Sequence, residues 1–204
     1  MKIIFATGNK NKLREINNIM KDSGYTIVSS KEEGISADPD EDGESFEENA
    51  LIKARAVYEA SDKMSIVMSD DSGLCIDALG GEPGIYSARF MGHDTSYDTK
   101  NAELIKRLDN VSEKERTARF VCAVGAILPS GKEIVVKEAM EGYIAHKTAG
   151  KNGFGYDPIF YLPEFEMTSA EISEEAKDLI SHRGKAIRHM LAVLKQKESM
   201  GELS

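Results

Sequence analysis

The stretch that most limits what this chain can build is Ser69-Asp70-Asp71-Ser72-Gly73, set between two apolar runs, Ile66-Val67-Met68 and Leu74-Cys75-Ile76. Two adjacent carboxylates, a hydroxyl and a glycine at the end of a short strand suit metal and phosphate chemistry. Carboxylate oxygens are hard ligands for Mg²⁺, which takes one or two of them together with substrate phosphates. Gly73 then lets the backbone turn away sharply. The same residues also make an ordinary turn. Other parts of the chain have to decide between the two.

At the N-terminus, Lys2-Ile3-Ile4-Phe5-Ala6 reads as a buried strand. It runs into Thr7-Gly8-Asn9-Lys10-Asn11-Lys12 and then a helix with Leu13, Ile16, Ile19 and Met20 at helical spacing. Strand, glycine turn and helix start form a natural phosphate cradle, because backbone N–H groups point outward there. A solvated helix start fits the same residues. A second strand, Thr26 to Ser29, leads to an acidic loop that holds Glu41 among many carboxylates. Such a run is usually a solvated face; alternatively one carboxylate shares a metal with Asp71. Ser45 and Glu48 then make a capping box for a helix with Phe46, Ala50, Ala54, Val57 and Tyr58 as its apolar stripe. Asn49 and Lys53 share another face of it, available to a ligand.

Further on, Tyr97 to Leu108 reads as a helix. Ala118 to Leu128 and Glu133 to Met140 read as strands around Pro129-Ser130-Gly131-Lys132, a hairpin signal. These read as scaffold. The loop Ala149 to Pro158 is different, because Phe154 stands between Gly153 and Gly155 with little to shield its ring. An aromatic so placed is a stacking platform for a base or a ring folded back on the core. A last helix carries Ile187, Met190, Leu191 and Leu194, with Ser181 as N-cap. His182 and Arg183 occupy its first turn, the unfavourable end of the dipole for a cation. Holding a ligand's acceptor group is one reason for that placement.

Composition narrows the function. A formal charge of −9 argues against a general nucleic-acid binder. No apolar run approaches the roughly 18–20 residues of a membrane span, and Ile3 to Ala6 is too short for a signal-peptide core, so a cytoplasmic location is expected. Cys75 and Cys122 stand far apart in apolar surroundings and read as small buried hydrophobes. The four histidines show no zinc-ligand spacing.

Taken together, Thr7-Gly8-Asn9…Lys12, Phe46…Glu48-Asn49-Ala50, Asp70 to Leu74, Gly153 to Pro158 and Ser181-His182-Arg183-Gly184 resemble one family. It is that of the inosine/xanthosine triphosphate pyrophosphatases, the Ham1-like dITP/XTP pyrophosphatases that cleanse the nucleotide pool of deaminated purines. The resemblance spans about residues 3 to 194. It implies hydrolysis of ITP, dITP and XTP to the monophosphate and pyrophosphate with Mg²⁺. It implies an α/β fold with an elongated mixed sheet flanked by helices, and residues 1–204 as one catalytic domain of two lobes with a cleft between them. It also implies a homodimer. Carried over by position, Thr7, Gly8, Asn9, Lys10, Asn11 and Lys12 bind the phosphates and Lys53 supports them. Asp71 is the catalytic carboxylate and a metal ligand, Glu41 the second metal ligand, and Ser72 a substrate contact. Phe154, Gly155, Tyr156, Asp157, Lys177, His182 and Arg183 form the nucleoside pocket. Two positions depart from the family pattern: Asn152-Gly153 replaces Gly-Gly, and Met167 stands where relatives commonly carry lysine.

A Maf-like pyrophosphatase of similar fold acting on other nucleotides, and a non-catalytic nucleotide sensor, are the competing functions. A nucleotide panel separates the first from an ITP enzyme, and Mg²⁺-independent binding without turnover would mark the second.

Overall fold

A computed structural model describes residues 1–203. A seven-stranded mixed sheet runs in the order β2-β1-β3-β4-β5-β6-β7. Its strands are β1 (Lys2–Phe5), β2 (Thr26–Ser29), β3 (Ile66–Ile76), β4 (Thr117–Ile127), β5 (Glu133–Ile144), β6 (Phe160–Leu162) and β7 (Met167–Thr168). The helices are α1 (Lys10–Met20), α2 (Phe46–Glu59), α3 (Tyr97–Arg107), α4 (Glu174–Ile180) and α5 (His182–Ser199). β1 pairs in parallel with β2 on one side and β3 on the other, whereas β6 pairs antiparallel with β5 and β7. The α/β class expected from the sequence is what the chain forms.

The chain separates into two compact units. Among the described residues the first comprises Met1–Asp71, Cys122–Glu138 and residues 183–203; the second comprises Ser72–Val121 and Ala139–His182. Strand alternation builds the first unit. Ile3, Phe5, Ile66 and Met68 pack with Ile16 and Met20 of α1 and with Ile187, Met190, Leu191 and Leu194 of α5. The residues between them, Ile4 and Val67, pack with Ala54, Val57 and Tyr58 of α2. Successive side chains of a strand leave on opposite faces, so helices cover both sides of this part of the sheet. In the second unit Leu74, Ile76, Phe120, Met140, Ile144 and Phe160 enclose a core with Leu104 of α3.

Local signals explain most element ends. Ser45 Oγ accepts the Glu48 N–H at 3.2 Å, as the capping box requires. The Glu48 carboxylate, however, takes the N–H of Glu44 at 2.7 Å, one residue earlier than the motif predicts. The hairpin turn closes with Gly131 N–H donating to Leu128 O at 2.8 Å.

The sequence reading of a turn at Gly73 is wrong. β3 runs unbroken through Ser69 to Gly73, with Asp70 and Asp71 both buried. Isolated carboxylates would not stay in such a strand, since burying an unpaired charge is costly. Partners supplied from elsewhere in the chain make it possible. Helix α4 and the short strands β6 and β7 were also absent from the sequence reading. Ser181, expected to cap α5, stands between α4 and α5 with extended backbone.

Candidate active site

The connections out of β1 diverge. α1 carries the chain to β2 on one side, and α2 then carries it to β3 on the other. In open α/β sheets ligands bind at such a switch point, outside the carboxyl ends of the parallel strands. β1 ends with Phe5 opposite Met68 of β3, so Thr7 to Lys12 after β1 and Ser69 to Asp71 within β3 lie just beyond that pair. Asn9 caps α1 there, its Oδ1 accepting the N–H groups of Asn11 at 2.9 Å and Lys12 at 3.2 Å. Thr7 Oγ1 accepts the Asn9 N–H at 3.2 Å. A Cβ on Gly8 would project into open space, which leaves this backbone approachable.

The two adjacent aspartates have different surroundings, again because strand neighbours leave on opposite faces. Asp70 follows Met68 towards the α1 and α5 side. Its Oδ2 receives Lys12 Nζ at 2.9 Å and Arg183 Nε at 3.2 Å, and the Arg183 guanidinium also pairs with Glu15. Burial works to raise the Asp70 pKa, but Lys12, Arg183 and Lys53 outweigh it and hold the carboxyl well below the usual range. Burial likewise disfavours charge on Arg183, and Asp70 and Glu15 reverse that effect, raising its pKa.

Asp71 follows Ser69 towards the α2 side, where Ser69 Oγ donates to Ala50 O. Lys53 Nζ, from α2, donates to Asp71 Oδ1 at 2.9 Å and to Glu41 Oε2 at 3.0 Å. Burial raises the Asp71 pKa and Glu41 adds to this, while Lys53 and Lys12 oppose it; the balance lies above the ordinary carboxylate value. Burial disfavours the charged form of Lys53, but Asp71, Asp70 and Glu41 overcome it and raise its pKa. Asp71 Oδ2 is buried and has no hydrogen-bond partner among the described residues, a condition it shares with Asp70 Oδ1. Asn49 is fully buried; its Oδ1 accepts the Gly43 N–H at 2.9 Å, tying the acidic loop to α2, and its Nδ2 has no hydrogen-bond partner among the described residues.

Among the described residues no group of three or more His, Cys, Asp or Glu side chains is placed to hold a metal ion. What the chain does provide is the pair Asp71 and Glu41, already bridged by one cation, Lys53 Nζ, and a buried Asp71 oxygen with no protein donor. That donor set suits a hard divalent cation that completes its shell with phosphate oxygens.

The second unit holds the aromatic loop. Asp157 organises it: its Oδ2 accepts the Phe154 N–H at 2.8 Å and Lys177 Nζ, and its Oδ1 accepts Ser169 Oγ. Lys177 Nζ also lies 5.5 Å from the centre of the Phe154 ring. Gly153 has φ +73°, and a Cβ there would collide with the Asp157 carboxylate, so only glycine serves. Tyr156 is buried, its hydroxyl donating to Ser87 O at 2.7 Å. His182 stacks on Phe120, with ring centres 4.8 Å apart and planes 12° from parallel.

Of the residues proposed from sequence, the structure thus brings Lys12 to Asp70 with Arg183, Lys53 and Glu41 to Asp71, and Phe154, Asp157 and Lys177 to one another. Ser72 is a half-buried residue of β3. Glu15, Phe120 and Ser169 escaped the sequence reading. Glu15 lies on α1 three residues after Lys12, the spacing of helical neighbours, and that is the sequence signal that could have found it.

A profile of the Ham1 family matches residues 3–193. The chain is 42% identical over 194 residues to a dITP/XTP pyrophosphatase of Desulforamulus reducens, covering 95% of this chain and 96% of that protein. It is 43% identical over 198 residues to a dITP/XTP pyrophosphatase of Clostridium perfringens, covering 95% and 97%. The solved structure of the Staphylococcus aureus Ham1 protein superposes with a TM-score of 0.86 at 39% identity, covering 97% of this chain and all of that one. With its sheet order and its paired carboxylate sites accounted for, the chain belongs to the Ham1 family.

Proposed function

We propose that this protein hydrolyses the deaminated purine nucleotides ITP, dITP and XTP to the nucleoside monophosphate and pyrophosphate. The observation that carries the proposal is Asp71: a buried carboxylate with one oxygen on Lys53 and the other without a protein partner. The names of the relatives, dITP/XTP pyrophosphatases, support the substrate class.

In this reading residues 1–204 are one catalytic domain. Thr7 to Lys12 and Lys53 bind the triphosphate, Ser72 touches the substrate, and Phe154 to Asp157, Lys177, His182 and Arg183 serve the nucleoside. The Asp71 carboxylate takes a proton from water as the water oxygen bonds to the α-phosphorus. The bond from that phosphorus to the bridging oxygen breaks, and its electron pair leaves with pyrophosphate. Lys12 and Lys53 offset charge on the leaving group. Asp71 and Glu41 would hold Mg²⁺, which when bound neutralises phosphate charge. The same reading makes the protein a cytoplasmic homodimer. Among the described residues no helix is long and apolar enough to cross a membrane.

The test is to incubate the protein with ITP and Mg²⁺ and identify the products. Pyrophosphate with IMP is expected. Orthophosphate with IDP overturns the cleavage site, and turnover confined to pyrimidine or other modified nucleotides overturns the substrate class.

A further inference from the structure

Helix α3 reads as scaffold in the sequence, yet it grips the aromatic loop by its backbone. Asn101 is 1% exposed, and its Nδ2 donates to Gly155 O at 3.1 Å. One turn earlier, the Tyr97 ring covers Gly155, whose Cβ, were there one, would lie 3.5 Å from Tyr97 Cε1. Tyr97 also meets Tyr156 edge to face, with ring centres 5.2 Å apart. The chain between these contacts has φ +71° at Gly155.

That grip fixes which way a peptide faces. In a trans peptide the C=O of one residue and the N–H of the next point in opposite directions. With the Gly155 carbonyl held on α3, the Tyr156 N–H is turned away from α3. Neither the Gly155 nor the Tyr156 N–H has an acceptor among the described residues. Two successive backbone N–H groups are therefore unpaired among the described residues, in the loop that carries Phe154.

Asn101 is a poor choice for stability alone. Its Oδ1 is buried and has no partner among the described residues. A stranded buried acceptor offsets what the bond to Gly155 contributes. A structural role at this position would be served as well by an apolar side chain.

We propose that Asn101 is a positioning residue for base selection. By holding the Gly155 carbonyl it directs the Tyr156 N–H at the C6 carbonyl of a deaminated purine. Adenine has an amino group there and meets this N–H donor to donor. The inference rests on the proposed function, in which the Phe154 loop receives the base.

The experiment measures kcat and KM for ITP and for ATP by pyrophosphate release, together with Tm, for the wild type, Asn101→Leu, Asn101→Ser and Phe154→Ala. Asn101→Leu is expected to raise KM for ITP about tenfold, the weight of one lost hydrogen bond. Its kcat for ITP, its ATP kinetics and its Tm are expected to stay close to wild type. Asn101→Ser keeps a donor of shorter reach and recovers part of the ITP preference; it decides the matter alone if the leucine variant does not fold by circular dichroism. An equal loss on ITP and ATP, or no loss on either, overturns the role of Asn101. Phe154→Ala tests the reading beneath it and is expected to raise KM for both substrates. If it moves neither, the loop does not hold the base and both conclusions fall.

Discussion

Asp70→Asn and Asp71→Asn, neighbours of equal volume change, should have opposite consequences. Asp70 is the anion between Lys12 and Arg183, and its side chain and that of Arg183 are 1% and 2% exposed. An asparagine leaves those cations facing an amide. Breaking a buried ion pair by removing one partner costs about 3–5 kcal/mol. For a chain of this size each kcal/mol moves Tm by about 2–4 °C, so Asp70→Asn should lower Tm by roughly 6–20 °C. Asp71 differs in sign. Its carboxyl is raised above its ordinary value, so its contribution to stability is full only below the unfolded pKa and is lost as pH rises through the folded one. At neutral pH an amide there is tolerated, and stability should change by no more than about 1 kcal/mol, or about 2–4 °C in Tm. Turnover of ITP should nevertheless fall at least about 100-fold, the lower range for a general base. Thermal unfolding followed by circular dichroism, beside pyrophosphate release, reads both effects. Equal Tm losses, or an Asp70→Asn protein as stable as wild type, would refute the assignment of a structural and a chemical carboxylate.

Because Asp70 is held below the usual carboxylate range, the stability it lends is present above the unfolded value of about 3.9 and is lost as pH falls through the folded value; wild type should lose more Tm than Asp70→Asn across that acid range. Glu41→Gln should raise the Mg²⁺ concentration that gives half-maximal rate, since a carboxylate binds hard cations better than an amide; Glu44→Gln is the control, and a shift seen only with Glu44 means the wrong loop residue was chosen. Lys12→Ala and Lys53→Ala should slow pyrophosphate release with the ITP over ATP preference unchanged; an altered preference would move these lysines from phosphate to base.

What the sequence made legible was local. The strand, glycine and helix at residues 2–20, the Ser45 cap and the Pro129–Lys132 hairpin each follow from neighbours in the chain, and each is present. Lys12, Lys53, Asp71 and the Phe154 loop stand out as candidates because their residue types match a family pattern, and the structure pairs Lys12 with Asp70 and Lys53 with Asp71. Partnership was not. Nothing near Asp70 announces that Arg183, 113 residues later, will neutralise it inside a strand. Without that partner, a turn was the better reading of Asp-Asp-Ser-Gly. Asn49 shows the same limit in reverse: helical spacing puts it beside Lys53, but its side chain is fully buried, with Oδ1 on the Gly43 N–H. Asn101 had no local mark at all, since its value lies in a carbonyl 54 residues away.

The opposite facing of Asp70 and Asp71 makes the chemistry of β3 depend on parity. Inserting one residue directly after Ile66 would turn Asp71 to the side of Lys12 and Arg183 and Asp70 to the side of Lys53. It would also turn Met68 towards α2 and Val67 towards α1 and α5, because a one-residue slip moves every side chain to the other face. The acidic segment before α2 has no such parity, but Glu41 on Lys53 and the Gly43 N–H on Asn49 fix its last residues, so changes in length belong ahead of Glu41. For recombination between relatives, crossovers belong in that segment or at Pro129–Lys132, and β3 is best exchanged whole.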